Sequence, residues 1–311
     1  MHVLSVSSLK GGVGKTTVAL GLASAAFAKG LRTLVVDLDP QCDATTGLGA
    51  VGVFRESCAD VLENPKHSVV LRAIVPSSWT KVRPGTIDVM LGSPRTIAFD
   101  TPTPTLREVW KLEEALSRVE RDYDLVIIDT PPSINALTRT AWISSDRVLI
   151  VTEPGIFSVA AADRAMRAIE SLRDGLTPRL QPLGVVINRV RPNSKEHDFR
   201  IQELSDLFGP ELLNVQIEEK STVQQAQGAA RAIHTWPGEQ AAELSKQFDE
   251  LLAGAIESFN KPMDRKSIKN HKRFSRLTRI MRGQKWSSAQ LAAETTDFEA
   301  LDGLTGDSSS R

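Results

Sequence analysis

The run Leu9-Lys10-Gly11-Gly12-Val13-Gly14-Lys15-Thr16-Thr17 constrains this chain more than any other stretch. An apolar run from His2 to Val6 precedes it and reads as a buried strand. A helix-period segment, Val18 to Lys29, follows it and stops at Gly30. Strand, glycine-rich loop and helix, in that order, are the setting in which such a loop can hold phosphate. Glycines at 11, 12 and 14 let backbone N–H groups converge on an anion, and the helix adds the positive end of its dipole. In that geometry Gly11, Gly12, Val13, Gly14, Lys15, Thr16 and Thr17 line a nucleotide. Lys15 reaches the β- and γ-phosphates, and the Thr16 hydroxyl ligates Mg²⁺.

Two further strand ends carry acids. Arg32 to Leu38 reads as a second buried strand that opens into Asp39-Pro40-Gln41-Cys42-Asp43. Taken alone, Asp37 and Asp39 could simply cap the turn that follows. The unbroken apolar run Leu125-Val126-Ile127-Ile128 fits a strand buried on both faces of a parallel sheet. It delivers Asp129 at its carboxyl end, where open α/β sheets bind ligands, and Asp129 is expected to hold Mg²⁺ through water.

Later strand and helix pairs repeat the alternation: Val148 to Thr152 with Ser158 to Asp174, then Leu183 to Asn188 with Glu196 to Phe208. Glu211 to Ile217 is the last expected strand, and Ser221 to Arg231 and Pro237 to Phe259 the last helices. This order predicts a doubly wound, mostly parallel sheet of P-loop NTPase type with helices on both faces. Between residues 51 and 105 we expect a short helix over Cys58 to Asn64 and a strand over Thr86 to Leu91, with Trp79 and Phe99 as packing residues. Thr105 to Arg121 has apolar residues at helical period among charges, and predicts one amphipathic helix facing solvent.

Lys plus Arg equals Asp plus Glu, at 38 each, so no global basic bias announces nucleic acid. Two cysteines, Cys42 and Cys58, give neither a disulfide framework nor a zinc cluster. No apolar stretch approaches the roughly 20 residues that span a bilayer. The chain enters its first strand directly, so no signal peptide is expected and the cytoplasm is the expected compartment. Composition changes after Asn260. From Arg265 to Lys285 there are nine basic residues and no acid, with Ile268, Phe274, Leu277 and Met281 near helical spacing. We therefore divide the chain into a folded unit (1–260), a basic amphipathic segment (261–286) and an acidic, Ser-containing tail (287–311). The basic segment suits DNA phosphates or an anionic membrane surface, and also a solvated tail.

Lysine at position 10 followed by paired glycines, Lys-Gly-Gly-x-Gly-Lys-Thr, resembles the deviant Walker A loop of the ParA/MinD group of ATPases. Asp37-x-Asp39-Pro-Gln resembles the ParA form of the second motif, although Asp43 stands where Asn is commoner. Asp129-Thr-Pro-Pro is similar to the group's Walker B stretch. The resemblance covers roughly residues 1–259. It implies an ATPase using ATP and Mg²⁺, with slow, partner-stimulated turnover. Lys10 would cross a dimer interface to the nucleotide of the other subunit. Asp39 would orient the attacking water, and Asp37 would support the metal shell with Thr16 and Asp129. Asn188 would contact adenine; Arg189-Val190-Arg191 does not spell a guanine signature.

The implied partners are a second copy of the chain, non-specific DNA and a ParB-like centromere-binding protein, with the nucleoid as location and chromosome or plasmid partition as role. Where many ParA proteins have Ile-Pro-Arg, this chain has Ile217-Glu218-Glu219-Lys220. Its DNA-contact candidates are therefore Lys220, Arg231, Lys272, Arg273 and Arg276. The alternative is a MinD-like, membrane-surface positioning ATPase using the basic C-terminal segment. A metabolic synthetase related to dethiobiotin synthetase is a third reading, and Lys10 speaks against it. An iron–sulfur site is discounted, because Cys42 and Cys58 lack the required spacing.

Overall fold

The computed structural model describes residues 1–50, 56–81 and 85–260. Among the described residues eight strands form one sheet: β1 (His2–Ser7), β2 (Thr33–Asp37), β3 (Ile74–Pro76), β4 (Ile87–Met90), β5 (Leu125–Asp129), β6 (Arg147–Thr152), β7 (Gln181–Val190) and β8 (Leu212–Glu218). Their order is β3-β4-β2-β5-β1-β6-β7-β8. Every pairing is parallel except that of the edge strand β3 with β4. The helices are α1 (Lys15–Ala28), α2 (Asp43–Gly47), α3 (Cys58–Glu63), α4 (His67–Ala73), α5 (Leu106–Val109), α6 (Lys111–Leu116), α7 (Ala136–Ile143), α8 (Ile156–Gly175), α9 (Lys195–Phe208), α10 (Ser221–Gly228) and α11 (Glu239–Phe259).

The period of two along each strand divides the core between the two faces of the sheet. Leu4, Val6, Val35, Leu125 and Ile127 join the cluster under α1 and α11. Val3, Leu34, Val36, Val126 and Ile128 join the one under α6, α7 and α8. The chain passes from β5 on one side of β1 to β6 on the other, which makes β1 the switch point where such sheets bind ligands. Register there is tight: Asp129 of β5 pairs with Val6 of β1 on one side and with Asp37 of β2 on the other. Two carboxylates and the glycine-rich loop therefore meet at one edge.

Several boundaries differ from expectation. Helix α1 begins at Lys15 rather than Val18, because Gly14, at φ 85°, turns the chain and its carbonyl accepts from Val18 N at 3.0 Å. The single helix expected over Thr105 to Arg121 is two short ones that meet at Trp110 and end at Leu116. Nor is it only solvent-facing, since Val109, Leu112, Ala115 and Leu116 are buried. Bonds from Arg118 N to Ala115 O and from Val119 N to Leu116 O tighten the exit and bury Val119. Helix α10 stops at Gly228, short of Arg231.

Helices α2, α4 and α7 and strand β3 were not expected. In α7 the polar Thr138 and Thr140 are buried, with the Thr138 hydroxyl donating to Pro131 O at 3.3 Å, so the apolar period is diluted. Trp79 is buried and donates to Gly47 O at 3.1 Å, while Phe99 packs half-buried against the core. No helix among the described residues is long and apolar enough to cross a membrane.

Helix α11 lies along α1, with the Phe248 ring filling the space above Gly21. It ends against the amino ends of β1 and β6. There Phe259 stacks on His2 at 4.3 Å, and the Arg147 guanidinium lies over the Phe259 ring at 5.7 Å and donates to Ser258 O. The chain thus leaves its described part at the sheet edge opposite the one bearing Asp37 and Asp129. The segments 261–286 and 287–311 lie outside the described residues.

Candidate functional site

The glycine-rich loop is fixed from both ends. Ser8 Oγ accepts from Lys10 N at 3.1 Å and donates to Lys10 O at 3.0 Å. Gly12 and Gly14 hold φ 82° and 85°, values that residues bearing a Cβ rarely adopt. A Cβ at Gly11 or Gly12 would meet nothing within 4 Å, so this part of the loop is open to a ligand. At Gly14 a Cβ would fall 2.2 Å from Asn188 Nδ2. The buried Asn188 side chain sits under the loop and donates to Val13 O at 2.7 Å.

Behind the loop, two carboxylates, those of Asp129 and Asp39, share one ammonium. Lys15 Nζ lies 2.8 Å from Asp129 Oδ1 and 3.3 Å from Asp39 Oδ2, and the Thr16 hydroxyl donates to Asp129 Oδ2 at 2.7 Å. Burial opposes the charge on Lys15, but Asp129 and Asp39 outweigh it, hold its pKa above the usual value and keep the group cationic. Burial raises the pKa of Asp129, while Lys15 and Thr16 pull it back. Asp37 receives less help. Burial and the neighbouring Asp129 push its carboxyl up to about 7, against bonds to Oδ2 from Thr45 N and Thr45 Oγ1, each 2.7 Å. Asp37 Oδ1 is buried without a hydrogen-bond partner. A buried acceptor with no donor, on a carboxyl that burial and the neighbouring Asp129 both disfavour as an anion, is what a divalent cation would satisfy. Thr16, Asp37 and Asp129 are placed to supply its oxygen ligands or water contacts. Asp39 is buried too, with Oδ1 accepting from Gln41 N at 3.0 Å.

Lys10 projects away from this group. Its Nζ lies 2.5 Å from Glu153 Oε1 and 3.1 Å from Ser158 Oγ. Glu153 directly follows β6, and its other oxygen stands 3.8 Å from Arg189 Nη1. Arg189, at φ 58°, donates from Nη1 to Gly12 O at 2.6 Å. Beyond it, Glu219 pairs with Arg191 and approaches Arg189 Nε at 4.0 Å. Thr45, Glu153, Ser158 and Arg189 were not anticipated as site residues. A carboxylate directly after the strand expected to end at Thr152 was the available signal for Glu153.

The structure brings Lys10, Gly11, Gly12, Val13, Gly14, Lys15, Thr16, Thr17, Asp37, Asp39, Asp129 and Asn188 to one sheet edge. It treats the DNA-contact candidates differently. Lys220 is held by Glu218 at 3.2 Å and by Glu243, with its side chain only 15% exposed. Arg231 donates to Thr235 O at 3.0 Å and lies over the Trp236 ring at 5.5 Å. Lys272, Arg273 and Arg276 lie outside the described residues. Chemically, the assembly can bind a polyanion through the loop and Lys15, hold a divalent cation, and present Asp39 to a water molecule.

A family model described as an AAA domain matches residues 1–182. The chromosome partitioning protein ParA of Caulobacter vibrioides is 30% identical over 232 residues, which span 73% of this chain and 84% of that protein. A ParA family protein of Chlamydia muridarum is 32% identical over 257 residues, spanning 81% and 95%. Among solved structures, an ATP complex of Cyanothece McdA aligns over 82% of this chain and 96% of that one, with a TM-score of 0.71 and 20% identity, a likeness of fold. By its loop motifs, its sheet order and these relatives, the chain belongs to the ParA family of partition ATPases, within the ParA/MinD group of P-loop proteins.

Proposed function

We propose that this chain is a Mg²⁺-dependent ATPase that dimerises on ATP, binds DNA without sequence preference as a dimer, and acts in chromosome or plasmid partition. The observation that carries the reading is the convergence of the open Gly11–Gly12 loop, Lys15 and the Asp37–Asp39–Asp129 group at the switch point of the sheet. Lys15 leaves Asp129 and Asp39 for the β- and γ-phosphates. Thr16, Asp37 and the released Asp129 would hold the cation, whose positive charge would offset the negative charge on the transferred phosphoryl group. Asp39 orients the attacking water. Asn188 lies beside the adenine, and Lys10 reaches the partner subunit's nucleotide, as in the family. A ParB-like protein stimulates turnover, and the nucleoid is the working location. Residues 1–260 form the ATPase unit, and 261–286 supply basic contacts.

With Lys220 neutralised by two carboxylates, DNA contact in this chain falls to Arg231 and to Lys272, Arg273 and Arg276. The test is binding of the full-length protein to non-specific duplex, with ATP against ADP, over a salt series. The expected result is ATP-dependent binding whose log affinity falls with log salt at a slope of roughly −0.9 per phosphate contact. Binding blind to the nucleotide would reduce the basic segment to a plain polycation and refute the switch. Because that segment is also amphipathic, a second reading is a membrane-surface positioning ATPase; no DNA binding, with ATP-dependent pelleting on anionic vesicles, would establish it.

A further inference from the structure

We infer that Glu153 is a positioning residue for Lys10: with Ser158 it docks the lysine on its own subunit and so opposes ATP-driven dimerisation until a γ-phosphate outcompetes it. The inference rests on the reading above, in which Lys10 crosses to a second copy of the chain. Lys10 cannot serve the partner's nucleotide while its Nζ is 2.5 Å from Glu153 Oε1 and 3.1 Å from Ser158 Oγ of its own chain. The dock is built across 143 residues of sequence, from the loop to the end of β6, with the buried Ser158 supplying the second acceptor.

Release does not strand the carboxylate. Arg189 Nη1 already stands 3.8 Å from Glu153 Oε2 and is tied to the same loop through Gly12 O, so Glu153 can trade one cation for another. The lysine side chain is 35% exposed and Glu153 23%, so the pair is solvent-screened and weak enough to exchange. A triphosphate places a terminal group of higher charge than a carboxylate at the interface, and a diphosphate places none there. The dock therefore sharpens discrimination between ATP and ADP: it sets a threshold that only the γ-phosphate clears.

The test uses the full chain, with Glu153→Gln, Lys10→Ala and the double variant. Sedimentation with a non-hydrolysable ATP analogue, over a protein concentration series, gives the dimer dissociation constant. Each dock removed is worth roughly 3- to 10-fold, so with two per dimer Glu153→Gln tightens the dimer by about 10- to 100-fold. It brings no such gain in the Lys10→Ala background. A parallel reading needs no dimer: acetylation of Lys10 in the nucleotide-free monomer, followed by mass spectrometry, speeds up in Glu153→Gln. Unchanged labelling overturns the dock whatever the dimer does. Faster labelling with an unchanged or weaker dimer overturns the threshold. A gain that persists without Lys10 shows that Glu153 acts elsewhere and also refutes it. If no variant dimerises although labelling responds, the ATP-dimer reading falls and takes the threshold with it.

Discussion

Gly14 heads α1 with φ 85° and ψ 30°, and a Cβ there would stand 2.2 Å from Asn188 Nδ2. Replacing it by alanine incurs two separable costs. Left-handed backbone costs a residue with a Cβ about 1–2 kcal/mol. The contact is the second cost: Asn188 must retreat, and its amide then gives up the 2.7 Å bond to Val13 O where the residue is only 3% exposed. Breaking a buried hydrogen bond and leaving its partners unsatisfied costs about 1–3 kcal/mol. Gly14→Ala is therefore expected to lower the unfolding free energy of the nucleotide-free protein by about 2–5 kcal/mol, read from urea midpoints at constant m. Asn188→Ala alone loses the same hydrogen bond, but it makes room for the new methyl group. In the double variant only the backbone cost of Gly14→Ala should remain, so the two changes together cost about 1–3 kcal/mol less than their sum. Additivity to within about 0.5 kcal/mol would show that Asn188 does not brace the loop and would refute the reasoning.

At Gly21 an alanine Cβ would meet three Phe248 ring atoms at 2.2, 2.3 and 2.4 Å. The usual helix gain of about 1 kcal/mol for Gly→Ala should therefore reverse into a loss of about 1–3 kcal/mol, partly restored by Phe248→Leu; thermal melts decide it, and a stabilised Gly21→Ala would sink the packing argument. Burial, with Asp37, Asp39 and Asp43 adding to it, pushes the Cys42 thiol up to about 11, and burial pushes Cys58 up as well. At pH 8 an aromatic disulfide reagent should react with Cys42 on the order of 10²-fold more slowly than with free cysteine. Cys58 should react only on unfolding, and a rapid burst from the folded chain would contradict both expectations.

What the sequence by itself determined is the part written in short, contiguous signals. The glycine loop between a strand and a helix located Lys15 and Thr16. The apolar runs ending in Asp37 and Asp129 read as parallel strands, and with the repeated strand–helix alternation they implied the doubly wound sheet. Each of these depends on local spacing, because backbone N–H convergence and strand burial are properties of a few neighbouring residues. Helix α7 escaped because its buried Thr138 and Thr140 break the apolar period, the Thr138 hydroxyl bonding within the fold. Strand β3 escaped because a three-residue antiparallel edge has no period to read.

Only the tertiary structure decided which charges are free to act. Lys10 and Lys220 look alike as exposed cations in the sequence, yet one docks on Glu153 and the other is held between Glu218 and Glu243. Asn188 under Gly14 and Phe248 over Gly21 are likewise invisible to spacing. These partners lie far apart along the chain, and the order of strands brings them together. Electrostatic and steric terms fall off with distance in space, so residue types name the candidates and the packing of the sheet selects among them.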